Sequence, residues 1–390
     1  MRSNIQTLLG ISLRTLITDK QNNQACIFGV ALLFCISMIL VPLGAVAATS
    51  DSTAVKWHPG HYYIIKGSRK NNTEYLSQVY SELDATPALK GMMIRYFWMD
   101  LEDSEGVYDF SSIDKRLAEL TARGKRLVIQ VQTKSFNKRQ VVPTYMKTVE
   151  YEGGEFYTSD YGSTVIRGRN IKLWNPQVRD RLIALFKAMG ERYNSHPNFE
   201  GVSMIETALG QPVEPLSSTQ IAGFYDNMIF VHQQMRLFFP NTMTIQEVNY
   251  PRSILASFVG SLKDIGTALS SPDTFIEEED LLYKTTKYDT NKGIYNYYAD
   301  FSGTIPMVPT VMPQNYKNTK GDGTGYVPTV AQILAFARDT LRANYIFWAR
   351  EKREKHYEQV LEVLNMSAQK NTPAGGLNPA CPAAYAACID

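Results

Sequence analysis

What most constrains this chain is a pattern that recurs eight times, a short apolar or β-branched run followed by a stretch with helical spacing. The runs are His61–Gly67, Met92–Glu102, Arg126–Phe136, Phe199–Gly210, Met243–Pro251, Ile265–Phe275, Ile305–Pro313 and Asn344–Arg350. Between them the clearest helical stretches are Ile113–Arg123, which stops at Gly124, then Val178–Ser195, Ser218–Phe239 and Thr329–Leu341. Strand and helix in alternation imply parallel strands joined by right-handed crossovers. Eight strands in roughly 300 residues suit a closed (β/α)₈ barrel better than an open doubly wound sheet. No strand is followed by G-x-G-x-x-G or G-x-x-x-x-G-K-[ST], so the main motive for a nucleotide-binding sheet is missing.

The first stretch has a different character. Arg2, Arg14 and Lys20 precede an apolar run from Ala25 to Leu40, and Pro42 and Gly44 lead into Ala45-Val46-Ala47. A basic start, an apolar middle and an A-x-A end describe a secretory signal peptide over residues 1–47. Ala25–Ala48 also has the length of an uncleaved membrane anchor, the rival reading. The expectation is therefore a secreted or periplasmic protein, with a membrane-anchored form as the alternative. Subtracting Arg2, Arg14, Lys20 and Asp19 from the 40 basic and 38 acidic residues leaves 37 of each. A mature chain without basic excess argues against nucleic acid as a partner, and against any membrane partner beyond the leader. The barrel is expected over residues 48–365. Residues 366–390, rich in Ala, Pro and Gly, read as a flexible tail in which Cys381 and Cys388 can close a small disulfide in an oxidising compartment.

Two connections are long for a barrel. Lys134–Asn175 follows the third strand and Ile276–Gly303 the sixth, the latter opening with Glu277, Glu278, Glu279 and Asp280. Loops that follow strands lie on the face that carries a barrel's active site, so both are expected to shape a cleft. The acidic run itself reads as a solvated helix start.

Chemistry belongs at the C-terminal ends of the strands. Cleaving a glycosidic bond needs one carboxylic acid to protonate the leaving oxygen and a second carboxylate as nucleophile or base. Glu206 ends the fourth strand. If Val202 and Met204 point inward, the two-residue alternation brings Glu206 inward as well, among apolar neighbours that favour a proton donor. A structural Glu paired with Arg95 is the competing explanation. For the second acid, Glu247 on the fifth strand ranks ahead of Asp273 at the end of the sixth. Trp98 and Trp348 are candidate sugar-stacking surfaces, with core packing as the rival for Trp348. Gln130 and Gln132 share a face of the third strand and, with Asn249 and Gln314, offer hydrogen bonds to sugar hydroxyls. The five histidines form no H-x-x-x-H or H-x-H pair, and no G-x-S-x-G elbow occurs, so no metal, no cofactor and no serine nucleophile are expected.

Several segments resemble the barrel glycosidases of the clan that includes the family 42 β-galactosidases and the family 5 enzymes. They are Tyr96-Phe97-Trp98 with Leu101-Glu102, Glu105 to Ser111 with Ile113-Asp114, Gly124 to Ile129, and Arg192-Tyr193 with His196-Pro197, Gly201-Val202 and Glu206. The resemblance implies a (β/α)₈ fold, a saccharide substrate, Glu206 as acid/base and Trp348 closing the sugar site. Two departures accompany it. Ile205 stands where the clan has Asn before its acid/base glutamate, and Gln314 follows the seventh strand where the clan has its nucleophile. The reading is an exported glycoside hydrolase with Glu206 as proton donor. Its alternative is a non-catalytic carbohydrate-binding barrel used in polysaccharide binding or assembly.

Overall fold

The computed structural model describes residues 53–276, 291–317, 324–351 and 356–390. The expected leader over 1–47 and the acidic run Glu277–Asp280 lie outside them. The apolar runs form eight parallel strands: β1 (Gly60–Ile65), β2 (Leu89–Phe97), β3 (Arg126–Gln132), β4 (Phe199–Met204), β5 (Met243–Glu247), β6 (Ala268–Ser270), β7 (Thr310–Val311) and β8 (Tyr345–Ala349). They are hydrogen-bonded in the order β6-β5-β4-β3-β2-β1-β8-β7. Between β6 and β7 the backbone bonds Leu269 N to Pro306 O (2.9 Å), Val308 N to Leu269 O (2.8 Å) and Thr310 N to Ser271 O (3.1 Å) complete the circuit. This is a (β/α)₈ barrel.

A helix follows every strand: α1 (Thr73–Ala85), α2 (Ser111–Thr121), α3 (Pro176–Tyr193), α4 (Ser218–Phe238), α5 (Arg252–Ile265), α6 (Tyr295–Phe301), α7 (Val330–Ala335) and α8 (His356–Leu364). Their starts carry the expected chemistry. Asn175 caps α3 by accepting from Gln177 N and Val178 N, with Pro176 as the first helical residue, and Ser217 and Gln220 form a reciprocal capping box on α4. The stretch read as one helix over Thr329–Leu341 is α7 followed by a π-helical segment, Phe336–Thr340. Among the described residues no helix is long and apolar enough to cross a membrane.

The two-residue alternation divides the strands between two cores. One face of each strand packs under the helices, as Met92, Ile94 and Tyr96 do on β2 and Ile346 and Trp348 on β8. The other face fills the barrel, where Tyr62, Ile64, Met93, Val128, Met243, Ile245, Ala268, Val308, Tyr345 and Phe347 pack together. Both faces being buried, the strands are apolar nearly throughout rather than alternating. The interior turns polar toward the strands' C-terminal ends, with Arg95, Gln130, Ser203, Glu247 and Ser270 at successive inward positions.

Residues 366–390 are not a loose tail. They cross the N-terminal end of the barrel, held by backbone bonds such as Asn378 N to Ala343 O (3.1 Å) and Ala383 N to Gly303 O (2.8 Å). Tyr385 inserts among the interior side chains, and Cys388–Ile389 pairs in parallel with Val55–Lys56. Cys381 and Cys388 are joined by a disulfide. Replacing both by Ser is expected to cost about 2–3 kcal/mol by releasing a short loop in the unfolded chain. Urea denaturation with and without a reductant measures this, and equal midpoints would remove the disulfide from the stability argument.

Candidate active site

The long connection after β3 supplies a wall. Lys134–Ser135, Glu155–Ser159, Ile166–Ile171 and Gln211–Pro212, the last from the loop after β4, form a small antiparallel sheet beside the C-terminal mouth of the barrel. Between this wall and the strand ends lies a cavity of about 540 Å³. Glu206, Glu247 and Asp273 all line it, with Arg95, Lys134, Gln132 and Gln314. The aromatic faces there are Phe97 and Phe136, the second 65% exposed.

Glu206 reaches the cavity by a route other than the one alternation suggests. Val202 and Met204 face the helices, and β4 ends at Met204, after which the chain turns and presents Ile205 and Glu206. The surroundings of Glu206 are polar rather than apolar. Lys134 Nζ donates to Oε1 at 2.5 Å and to the Ala208 carbonyl at 2.7 Å, while Asn249 Nδ2 donates to Oε2 at 2.9 Å. Asn249 is fixed in that orientation because its Oδ1 accepts from Ala208 N (3.1 Å) and Tyr250 N (2.8 Å). It therefore acts on Glu206 and is not itself a lining residue.

Glu247 shares its face with Ile245 as expected and lies at the cavity floor, 1% exposed. Neither of its carboxyl oxygens makes a hydrogen bond to a described residue. Burial pushes its carboxyl up to about 7, against the pull of Arg95, whose Nη2 is 3.7 Å from Oε1. Gln130 is buried beside it with both amide atoms unbonded and does not line the cavity. Asp273 stands at the end of β6. Gln314 Nε2 (2.7 Å) and Asn315 Nδ2 (3.0 Å) both donate to Oδ1, and no described residue bonds Oδ2. Burial raises its carboxyl to about 6, opposed by the Asn315 amide and aided by the charge of Glu206. Arg95, considered as a partner for Glu206, has Glu247 as its nearest carboxylate instead, at 3.7 Å and without a hydrogen bond.

Glu247 also ties proton binding to stability. The folded chain holds its proton more tightly than the unfolded chain, so stability is greatest below the ordinary value of 4.5 and falls as pH rises toward 7. Glu247→Gln is expected to flatten that fall and gain on the order of 3 kcal/mol at pH 8. Urea midpoints at pH 4.5 and pH 8 test it; parallel pH dependence in the two proteins would contradict the burial account.

Both tryptophans lie elsewhere. Trp98 continues the outward face of Met92, Ile94 and Tyr96, is 0% exposed, and donates to Glu102 Oε2 at 2.7 Å. Trp348 sits on the helix-facing side of β8, 1% exposed, donating to His61 Nδ1 at 3.1 Å. Neither lines the cavity, so neither is a sugar-stacking surface. Sequence reasoning missed Phe136, Lys134 and Arg139, which lie past the end of β3. It weighed Arg95 only as a partner for Glu206, although Arg95 shares its inward face with Met93 and Phe97. Gly67, following β1, packs so closely that a Cβ would lie 2.7 Å from the Arg95 carbonyl, which holds the β1 loop against this end of β2.

The closed parallel barrel with carboxylates at its C-terminal mouth defines the class as a (β/α)₈ barrel. Solved structures carry the comparison further. The catalytic domain of a β-amylase from Paenibacillus polymyxa matches with a TM-score of 0.53 and 7% identity, over 79% of this chain and 98% of that one. A β-galactosidase from the psychrophilic Marinomonas ef1 matches with a TM-score of 0.52 and 11% identity, over 82% of this chain and 61% of that one. The cold-adapted β-galactosidase from Rahnella sp. R3 gives 0.53 and 14%, over 82% and 57%. The chain thus spans less than two thirds of the galactosidases' length. At such identities the likeness defines the fold. The sequence matches no family model and no curated protein.

Proposed function

We propose that this is an exported glycosidase acting on a polysaccharide or oligosaccharide through paired carboxylates. The observation that carries the reading is a single cavity at the C-terminal mouth of the barrel, where two acids sit in opposed environments. Two carboxyl groups whose surroundings differ in this way divide into an acid and a base or nucleophile. Asp273 is the proton donor, because both amides bind Oδ1 and leave Oδ2 to carry a proton toward the cavity. Glu206 is the second carboxylate, with an ammonium and an amide bonding its two oxygens. This reverses the role expected for Glu206 from the sequence. Glu247, beneath them, modulates the field of both. Phe136 offers a stacking face and Gln132 a hydrogen-bonding amide to the sugar. The leader-like composition of residues 1–47 and the disulfide between Cys381 and Cys388 support the reading of an exported protein.

The position after β7 carries Met312 and Gln314 rather than an acid, and this favours the second reading, a barrel that binds saccharide without cleaving it. Reducing-end release from bacterial, algal and plant polysaccharides separates the two. The full chain is expected to release ends, and its Glu206→Gln variant to lose about a hundredfold or more. Binding without release by the unaltered chain would establish the non-catalytic barrel.

A further inference from the structure

Among the described residues, four cations and three carboxylates line the cavity. Three of the cations are committed: Lys66 to Glu351 at 2.6 Å, Lys134 to Glu206, and Arg139 to Asp100 at 2.5 Å. Arg95 differs. Its side chain is only 12% exposed, yet none of its N–H groups makes a hydrogen bond to a described residue, and its Nε is fully buried. The nearest carboxylate oxygen, Glu247 Oε1 at 3.7 Å, is beyond hydrogen-bond reach. A guanidinium is always charged, presents its donors as a planar fork, and is costly to bury without an acceptor. Beside it the Gln130 amide is equally unbonded. The inward parity of Arg95 places it at the floor of the cavity, below the carboxylates proposed to act on the sugar.

A neutral saccharide leaves this fork facing hydroxyl groups alone, whereas a carboxylate or sulfate ester matches it with two parallel charge-assisted bonds. We propose that the cavity takes an acidic saccharide, and that the anionic substituent of the ring bound at its floor seats on Arg95. Arg139 shares Asp100 with Lys70, which leaves net positive charge at the mouth, suited to a further acidic ring of a polymer. The proposal rests on the reading of this cavity as a saccharide site and adds the substrate's charge to it.

The test is calorimetric binding to the full chain carrying Asp273→Asn, which slows turnover by the factor expected for loss of a general acid. The ligands are size-matched oligomers of galacturonate, glucuronate and mannuronate, their methyl esters, the corresponding neutral hexose oligomers and a sulfated galactan oligomer. Tighter binding of an acid than of its own ester by about tenfold or more is expected, the scale of one charge-assisted bond. Preference for a uronate or for the sulfated oligomer identifies the source of the anion and supports the proposal in either case. Arg95→Gln is expected to abolish the difference between acid and ester, and Arg95→Lys to restore part of it. The acid-against-ester comparison on unaltered Arg95 stands even if the variants do not fold. Neutral oligomers binding as tightly as acidic ones would overturn the proposal and leave the glycosidase reading intact. Binding of no saccharide at all, with no release of reducing ends by the unaltered chain, would remove both.

Discussion

Asp273→Asn is expected to reduce kcat on an unactivated glycoside by about a hundred- to ten-thousandfold, the range contributed by a positioned general acid. The substitution is nearly isosteric, and an asparagine carbonyl can still accept from Gln314 and Asn315, so the loss isolates the proton. An aryl glycoside with an acidic phenol as leaving group needs little protonation and is expected to lose far less. The pH profile adds an independent sign. A donor must be protonated, and burial holds Asp273 near 6, so kcat of the parent should fall as pH rises through about 6. The variant should lack that alkaline limb. Equal losses on both substrates, or an unchanged alkaline limb, would return the donor role to Glu206.

The second large effect concerns stability. Glu102 has no exposed side-chain surface and gathers four donors: Trp98 Nε1 at 2.7 Å, Gly106 N at 2.9 Å, Tyr145 OH at 3.0 Å and the Arg181 guanidinium. It thereby ties the end of β2, the hairpin that follows it, the wall after β3 and helix α3 to one carboxylate. Glu102→Ala strands all four donors and leaves Arg181 without its principal partner. The expected cost is about 3–5 kcal/mol, the scale for breaking a buried ion pair from one side. Denaturant unfolding measures it. A change below about 1 kcal/mol would show that water or Glu105, 3.5 Å from Arg181, takes over the role.

Glu102 also explains what the family-like segments encode. The likeness around Tyr96–Asp114 and Arg192–Glu206 is concentrated in groups that hold the scaffold together. Arg192 grips Asp114 through two hydrogen bonds, and Tyr193 OH donates to the same carboxylate at 2.7 Å. Such residues mark a barrel without marking its chemistry. The barrel itself was legible because eight apolar runs alternate with helical stretches, and the parity of Glu247 with Ile245 was readable directly. Trp98 and Trp348 were not, since a strand buried on both faces gives no hydrophobic alternation to tell the barrel interior from the helix layer. Glu206 lines the cavity although its parity differs from the one the alternation predicts, because the strand stops at Met204 and a turn reorients the chain. Lys134 and Asn249 lie where short strands give way to loops, and only the fold brings them to Glu206. The tail read as loose because Ala, Pro and Gly carry little packing signal, while its anchoring runs through backbone bonds that composition does not reveal.

That anchoring bears on the order in which the molecule becomes whole. Tyr385 fills the barrel interior, and the strand at Cys388–Ile389 lies against Val55–Lys56. The floor of the barrel is thus assembled from residues that leave the ribosome more than three hundred positions apart. Every strand of the circuit is synthesised before the plug that seals it, so an emerging chain keeps its interior aromatics open to solvent until residues 385–389 arrive. Contacts of such long sequence separation are slow to form, because loop closure precedes the reward of packing. Completion of the barrel in that sense waits on the arrival of a short segment that contributes nothing to the cavity at the opposite end.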